Sequence, residues 1–158
     1  MIRVGHGFDA HRLAGGRKLI LGGVVIPYEK GSLGHSDGDV LAHALADALL
    51  GAASLGDLGS YFPESDPQWR DADSMVLLRT CAGKVGEAGF AIGNVDATVV
   101  VQQPRLGPHL ESMRRSIASA LAVTDERVSI KAKSSDGMGY TGDGTGIAAY
   151  AVALIERI

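Results

Sequence analysis

One cysteine, Cys81, occurs among the 158 residues, so neither an internal disulfide nor a cysteine-thiolate metal cluster is available. There is no surplus of positive charge. The formal net charge is −3, which argues against a nucleic-acid surface, and no nucleic-acid partner is expected. No apolar run approaches the roughly 20 residues needed to span a bilayer, so no membrane partner is expected either. Met1-Ile2-Arg3 leads straight into a candidate strand without a leader pattern, and the expectation is a cytoplasmic protein. A Walker A loop is missing, and so is His-Glu-x-x-His, which removes the signatures of P-loop nucleotide triphosphatases and zincin proteases. What is present is an ordinary profile, 46% hydrophobic and 21% charged, in a chain of the right length for one domain, residues 1–158, with a substantial core.

The most informative stretch is Gly5-His6-Gly7-Phe8-Asp9-Ala10-His11. On a strand, side chains alternate faces, so Asp9 and His11 point one way and Ala10 the other. A carboxylate and an imidazole so placed are two parts of a three-ligand site. His43, on the next strongly patterned segment, is the candidate third. Together they would give the open nitrogen and oxygen coordination of a catalytic Zn²⁺. The competing reading is plain: a histidine beside an apolar strand is more often a hydrogen-bonded packing residue, and His6 is read that way.

Along the chain, Lys18–Leu21 and Val24–Pro27 predict a hairpin about Gly22-Gly23. Tyr28–Gly38 reads as loop. A helix is expected over about Asp39–Ala53, with Val40, Leu41, Ala44, Leu45, Ala48 and Leu49 as its apolar stripe and Ser36 or Asp37 as its cap. Asp39, His43 and Asp47 recur on one flank of it. That flank is either a solvated polar stripe or a ligand with a neighbouring carboxylate orienting its ring. Gly51–Pro67 reads as a long loop, Asp71–Ala88 and Leu110–Ala122 as helices. Phe90–Val101 and Val128–Lys133 read as strands; the apolar run Ile147–Ile158 fits helix or strand and is taken as strand, because it follows a turn and the sheet needs an edge or partner. The fold class is therefore α/β or α+β, with helices packed on a sheet. Glycine-rich loops at His35–Gly38, Gly56–Gly59 and Ser134–Gly146 suit phosphates. A cation on Asp9, His11 and His43 with a separate acid at Asp136 suggests metal-assisted phosphoryl chemistry.

Longer strings carry a resemblance. Gly5-His6-Gly7-Phe8-Asp9-Ala10-His11-Arg12-Leu13, His35-Ser36-Asp37-Gly38-Asp39-Val40, the segment His43–Ala52, Gly56-Asp57-Leu58-Gly59, Phe62–Pro67, Asn94-Val95-Asp96 and Thr141-Gly142 resemble the 2-C-methyl-D-erythritol 2,4-cyclodiphosphate synthases. The likeness runs from about Val4 to Leu154. It implies a mixed sheet with three helices on one side, and a homotrimer whose active sites are shared between subunits. It also implies a reaction. The 2-phosphate of 4-diphosphocytidyl-2-C-methyl-D-erythritol 2-phosphate attacks the β-phosphate of the same molecule, releasing CMP and closing a cyclic diphosphate in non-mevalonate isoprenoid biosynthesis.

By the same resemblance, Zn²⁺ sits on Asp9, His11 and His43, and Mg²⁺ or Mn²⁺ is held by Asp136. His35 and Ser134 stabilise the transition state, with His35 and Ser36 on a mobile loop over the phosphates. Asp57, Leu58 and Gly59 hold the erythritol, with Phe62, Pro63, Glu64, Ser65 and Asp66 nearby, and Ala10, Tyr140 and Asp143 complete the substrate contacts. Val101, Gln102, Gln103, Pro104, Arg105, Leu106 and Gly107, with Ala132, Lys133, Ser134 and Ser135, form the pocket for the CMP moiety. The chain departs from the family pattern at Asp136, where Glu is usual, and at Ser134-Ser135, where threonines are common. It departs again at Asp143 and Thr145, which stand in place of Arg and Glu. A water-activating phosphoesterase and a non-catalytic trimeric binding protein are the alternatives.

Overall fold

The computed structural model describes residues 1–158. Its strands are β1 (Ile2–Gly15), β2 (Leu19–Leu21), β3 (Val24–Ile26), β4 (Lys30–Ser32), β5 (Phe90–Val100), β6 (Val128–Lys133) and β7 (Gly146–Arg157). Its helices are α1 (Val40–Ala52), α2 (Leu58–Tyr61), α3 (Ser74–Glu87), α4 (Leu110–Leu121) and α5 (Gly139–Gly142). Five strands form one sheet in the order β4-β1-β7-β5-β6, and β2 and β3 form a separate hairpin. The β5–β6 pair is parallel and the other pairs in the main sheet are antiparallel, so the sheet is mixed. Helices α1, α3 and α4 cover one side of it.

The alternation of β7 explains its central place. Ala149, Ala151, Ala153 and Ile155 are buried under the helices, whereas Tyr150 and Val152 face outward. Small residues on the inner face leave room for α1, which lies across β1 and β7. Helix α1 is more deeply placed than its stripe predicts: 10 of its residues are buried, including Ala42, Ala46 and Leu50. It is enclosed by the sheet beneath and α3 beside it, so an all-round apolar surface is what its position demands.

The sequence-based boundaries hold to within a few residues for the hairpin, the three long helices and the strands. Three readings are corrected. Gly51–Pro67 and Ser134–Gly146 are not all loop, because Leu58–Tyr61 and Gly139–Gly142 form the short helices α2 and α5 within them. Tyr28–Gly38 is not all loop, because Lys30–Ser32 pairs with Leu13–Gly15 as an edge strand; three residues with a central glycine carry no alternating pattern to announce it. The cap of α1 is neither Ser36 nor Asp37 but Asp39, whose side chain accepts from Ala42 N–H. In β5 the pairing slips between Ile92 and Asn94, leaving Gly93 as a bulge.

Candidate metal centre and its cleft

The centre is built by the inward face of β1. Gly5 and Gly7 are buried beneath α1, and a Cβ on either would lie 1.9 Å from a helix carbonyl oxygen, that of Ala48 or Ala44. Their lack of a side chain lets α1 rest directly on the strand. Asp9 and His11 follow on the same face, and His43 is one residue before Ala44. His43 Nδ1 and His11 Nε2 both approach Asp9 Oδ2, at 2.9 and 2.8 Å. The three candidate ligand atoms lie within 4.8 Å of one another, and all three side chains are half-buried. One carboxylate and two imidazoles at this spacing suit a borderline divalent cation such as Zn²⁺.

The far side of each ring is also held. His11 Nδ1 donates to the Leu33 carbonyl at 2.6 Å, so in the neutral ring the Nε2 lone pair faces the centre, and in the charged ring Nε2–H donates to Asp9. His43 Nε2 lies 2.8 Å from Ser74 Oγ and 3.2 Å from Ser36 Oγ. Neither flanking aspartate on α1 orients His43. Asp39 is fully buried and accepts from Gly22, Gly23 and Ala42 N–H, fixing the β2–β3 hairpin to the helix start. Asp47 accepts from Leu58 N–H at 2.7 Å and fixes α2. The flank is thus neither solvated nor a relay; it is a set of structural anchors.

Burial pushes the Asp9 carboxyl up, but hydrogen bonds from His11 and His43 and their charge outweigh it and hold it at about 2. Burial likewise disfavours the charged His11 ring, yet the Asp9 contact prevails and raises its pKa above the ordinary histidine value. Burial raises the Asp47 carboxyl, reinforced by the Asp57 and Asp9 charges against the Leu58 N–H.

The three residues open on a cleft of about 190 Å³, also lined by His35, Ser36, Leu58, Gly59, Phe62 and Glu64, all expected, and by Asp47, Trp69 and Leu77. Trp69 was not singled out by sequence, nor was Leu77, which lies in the apolar stripe of α3. Trp69 stands edge-on to Phe62 at 4.8 Å between ring centres. A lone tryptophan in a long polar loop was the available signal. Asp57 does not line the cleft; it caps α2 by accepting from Ser60. Pro63, Ser65 and Asp66 are not among the lining residues, though the Asp66 carbonyl accepts from His35 Nε2 at 3.0 Å. The loop bearing His35 and Ser36 is pinned further by Asp71 N–H to the His35 carbonyl and Asp37 N–H to the Ala72 carbonyl. Ala10 and Tyr140 line a neighbouring recess with the outer side of His11. Asp143 is engaged by Thr145 through both backbone N–H and hydroxyl.

Gly34-His35-Ser36-Asp37-Gly38 also has the Gly-x-Ser-x-Gly spacing of a hydrolase nucleophile elbow. The structure gives it another use. The segment joins an edge strand to α1 through a multi-residue loop, and Ser36 Oγ is buried and accepts from Gly38 N–H. It is not presented at the sharp strand-to-helix turn that such a nucleophile needs.

A second pocket, of about 620 Å³, lies elsewhere and shares no lining residue with the first. Val101–Pro108, Leu110 and Ala132–Ser134 form it, at the ends of the parallel strands β5 and β6. Every residue expected for the nucleotide lies there except Ser135, which turns away to bond the Met138 carbonyl and Thr141. Asp136, at φ 52°, accepts from Ser134 Oγ at 3.2 Å and is not part of the Asp9, His11, His43 cluster.

Comparison with known families decides the kinship. The YgbB family profile matches residues 2–156. The chain belongs to the YgbB family. It is 57% identical over 154 residues to the 2-C-methyl-D-erythritol 2,4-cyclodiphosphate synthase of Moorella thermoacetica, covering 98% of this chain and 94% of that one. It is 55% identical to the synthase of Syntrophomonas wolfei, covering 99% of both. Among solved structures it is similar to the bifunctional IspDF of Campylobacter jejuni, at 39% identity and a TM-score of 0.97, spanning all of this chain and 43% of that protein. It is also similar to a 2C-methyl-D-erythritol-2,4-cyclodiphosphate synthase in its CDP-bound form, at 38% identity, a TM-score of 0.90, and 98% and 100% coverage. The family resemblance carried by the sequence strings and the mixed sheet with one helical side are both borne out.

Proposed function

We propose that this chain is a 2-C-methyl-D-erythritol 2,4-cyclodiphosphate synthase. It converts 4-diphosphocytidyl-2-C-methyl-D-erythritol 2-phosphate into the cyclic 2,4-diphosphate and CMP. The observation that carries the reading is the convergence of Asp9, His11 and His43 at the head of a cleft, in a chain 57% identical to a synthase.

The reaction is internal to one substrate. An oxygen of the 2-phosphate forms a bond to the β-phosphorus, and the bond from that phosphorus to the bridging oxygen of CMP breaks. The protein's task is to fold the substrate so that these atoms meet in line. In this reading the erythritol lies in the metal cleft, its hydrocarbon against Leu58, Phe62, Trp69 and Leu77, and its hydroxyls near Gly59. The cytidine lies in the second pocket, where Lys133 and Arg105 offer charge to phosphate. His35 and Ser134 donate hydrogen bonds to the charge that develops on the phosphoryl oxygens. Asp9, His11 and His43 would hold Zn²⁺, and Asp136 would hold Mg²⁺ or Mn²⁺; such cations polarise phosphoryl oxygens and neutralise their charge. The whole chain, residues 1–158, acts as a single synthase domain, and the reading places it in the cytoplasm. No helix is long and apolar enough to cross a membrane.

His35 and Ser134 belong to one transition state yet line different pockets. The reading therefore includes a homotrimer in which one subunit's cleft meets its neighbour's nucleotide pocket. The sheet face opposite the helices supports this. Ile2, Val4, Phe8, Tyr150 and Val152 are all exposed there, and the Phe8 and Tyr150 rings meet at 5.1 Å.

The test is incubation with the diphosphocytidyl substrate and Mg²⁺, followed by phosphorus NMR. Cyclic diphosphate and CMP in equal amounts is the expected result. Linear phosphorylated products would replace this reading with that of a phosphoesterase.

A further inference from the structure

The two histidines of the centre are held in different ways. His11 donates Nδ1–H to the Leu33 carbonyl. A carbonyl only accepts, so this contact alone fixes the ring's tautomer and turns the Nε2 lone pair to the centre. The Nε2 of His43 instead meets hydroxyls, those of Ser74 and Ser36. A hydroxyl donates or accepts, so it fixes nothing by itself. Against a carboxylate such as Asp9, an imidazole nitrogen by default presents its proton, and a nitrogen that keeps its proton cannot bind a metal.

A third residue removes that freedom. Ser74 Oγ–H donates to Asp37 Oδ1 in a short contact, and Ser74 N–H donates to Asp37 Oδ2 at 3.0 Å. Asp37 Oδ1 also accepts from Asp39 N–H at 3.1 Å. With its one proton committed to the carboxylate, Ser74 Oγ presents lone pairs to His43 at 2.8 Å, closer than Ser36 Oγ at 3.2 Å, and this nearer acceptor makes Nε2 the donor. Ser74 is buried, so water does not compete for these bonds.

We infer that Asp37 is a positioning residue for the metal centre: through Ser74 it sets the tautomer of His43 so that Nδ1 offers its lone pair beside Asp9. The inference rests on the proposed reading of Asp9, His11 and His43 as metal ligands. It gives the loop that carries His35 and Ser36 a direct hold on the centre, because the segment that would cover the phosphates also supplies the carboxylate that orients a ligand. It also explains why Ser74 begins α3 at this spot: Asp37 clasps the backbone and the side chain of the same residue.

The test is zinc affinity, measured by competition with a chromophoric chelator, on the parent protein and on Ser74→Ala, Asp37→Asn, the double variant and Asp73→Ala. Asp73 caps the same end of α3, accepting from Met75 N–H at 2.9 Å, but touches neither Ser74 Oγ nor His43. Loss of an outer hydrogen-bond partner of a metal ligand costs about 10- to 100-fold in affinity. Ser74→Ala and Asp37→Asn are each expected to weaken zinc within that range. The double variant should lose no more than the weaker single, since both act through one chain of bonds. Asp73→Ala should lower the unfolding temperature and leave zinc affinity within about twofold. Single variants that bind zinc like the parent would overturn the inference. So would losses that multiply in the double variant, or an equal loss in Asp73→Ala, either of which would mark a merely structural role. A parent protein that binds no zinc would overturn the metal reading itself, and this inference with it.

Discussion

The two pockets are made by opposite means. In the metal cleft, chemistry-bearing side chains come from β1, the loop before α1, α1 itself and the segment leading into α3, and each is held by another side chain or a carbonyl. In the second pocket the walls are a loop after β5 and the end of β6, with no histidine or carboxylate in the lining. The first is a device for placing a few atoms precisely. The second is a cradle whose backbone and two cations suit a nucleotide with little dependence on individual side chains. The contrast shows where substitution matters. Changes in the cleft act through geometry and spread along hydrogen bonds, whereas changes in the cradle stay local.

The strongest way to break this contrast is to remove one of the proposed metal ligands. His43→Ala is expected to reduce zinc affinity by more than about 100-fold and abolish turnover, while the protein stays folded. Zinc content after gel filtration, circular dichroism and product assay check this. Affinity for CMP, which lacks the β-phosphate, should stay within about twofold if the cradle is independent of the cleft. A variant that keeps one zinc per chain would remove His43 from the site. The next effect comes from beneath the helix. Gly7→Ala places a methyl group where the Ala44 carbonyl stands, 1.9 Å away. Displacing α1 should cost about 1–3 kcal/mol in denaturant unfolding and weaken zinc as well, since His43 rides on the same helix. Gly15→Ala meets nothing within 4 Å and serves as the control, with little change in either property.

A smaller effect belongs to the cradle's edge. Asp136→Ala should leave zinc content unchanged and raise the Mg²⁺ or Mn²⁺ needed for half-maximal rate about tenfold, the scale of losing one partly exposed carboxylate contact. An unchanged metal requirement would pass this role to another group. A loss of zinc would join the two pockets in a way the single chain does not show.

Much of this was legible in the sequence, for definite reasons. A β-branched run marked β5 and alternation the start of β6, the apolar run of β7 fitted helix or strand and was settled by the turn before it, and the Asp9-x-His11 pair on a strand named its own shared face. The glycine-glycine turn marked the β2–β3 hairpin. What escaped notice depended on contacts between distant segments. Lys30–Ser32 forms a strand only because β1 offers an edge beside it. Asp39 outcompetes Ser36 and Asp37 as the cap because Gly22 and Gly23 N–H are brought to it from the hairpin. Ser74 looks like any residue at a helix start until Asp37 and His43 arrive on either side of it. Trp69 stands in a polar loop with no periodicity, and only folding sets it against Phe62. The segregation of His35 and Ser134 into separate pockets had no sequence signal at all, because both lie in loops and the chain's path alone decides where they end.

The finest expected effect is in pH, and it separates the metal-free from the metal-loaded centre. The contact with Asp9 raises the His11 pKa above its ordinary value. A group raised on folding adds stability that is fully present below its unfolded pKa and is lost as pH rises through the folded one. Metal-free protein should therefore lose stability as pH climbs past about 6.5, the ordinary histidine value. Asp9, held at about 2, stays ionised throughout and contributes no slope there; its own share is lost only in strong acid. Zinc needs the neutral ring, so its affinity must move the other way, rising over the same interval by at most about tenfold per pH unit for each proton displaced. Thermal unfolding of chelated protein and zinc competition, both followed from about pH 8 down to about pH 6, test the pair of slopes. Opposite signs place the proton and the metal on the same nitrogen. Parallel slopes, or a flat zinc affinity, would show that His11 Nε2 is not the atom the cation takes.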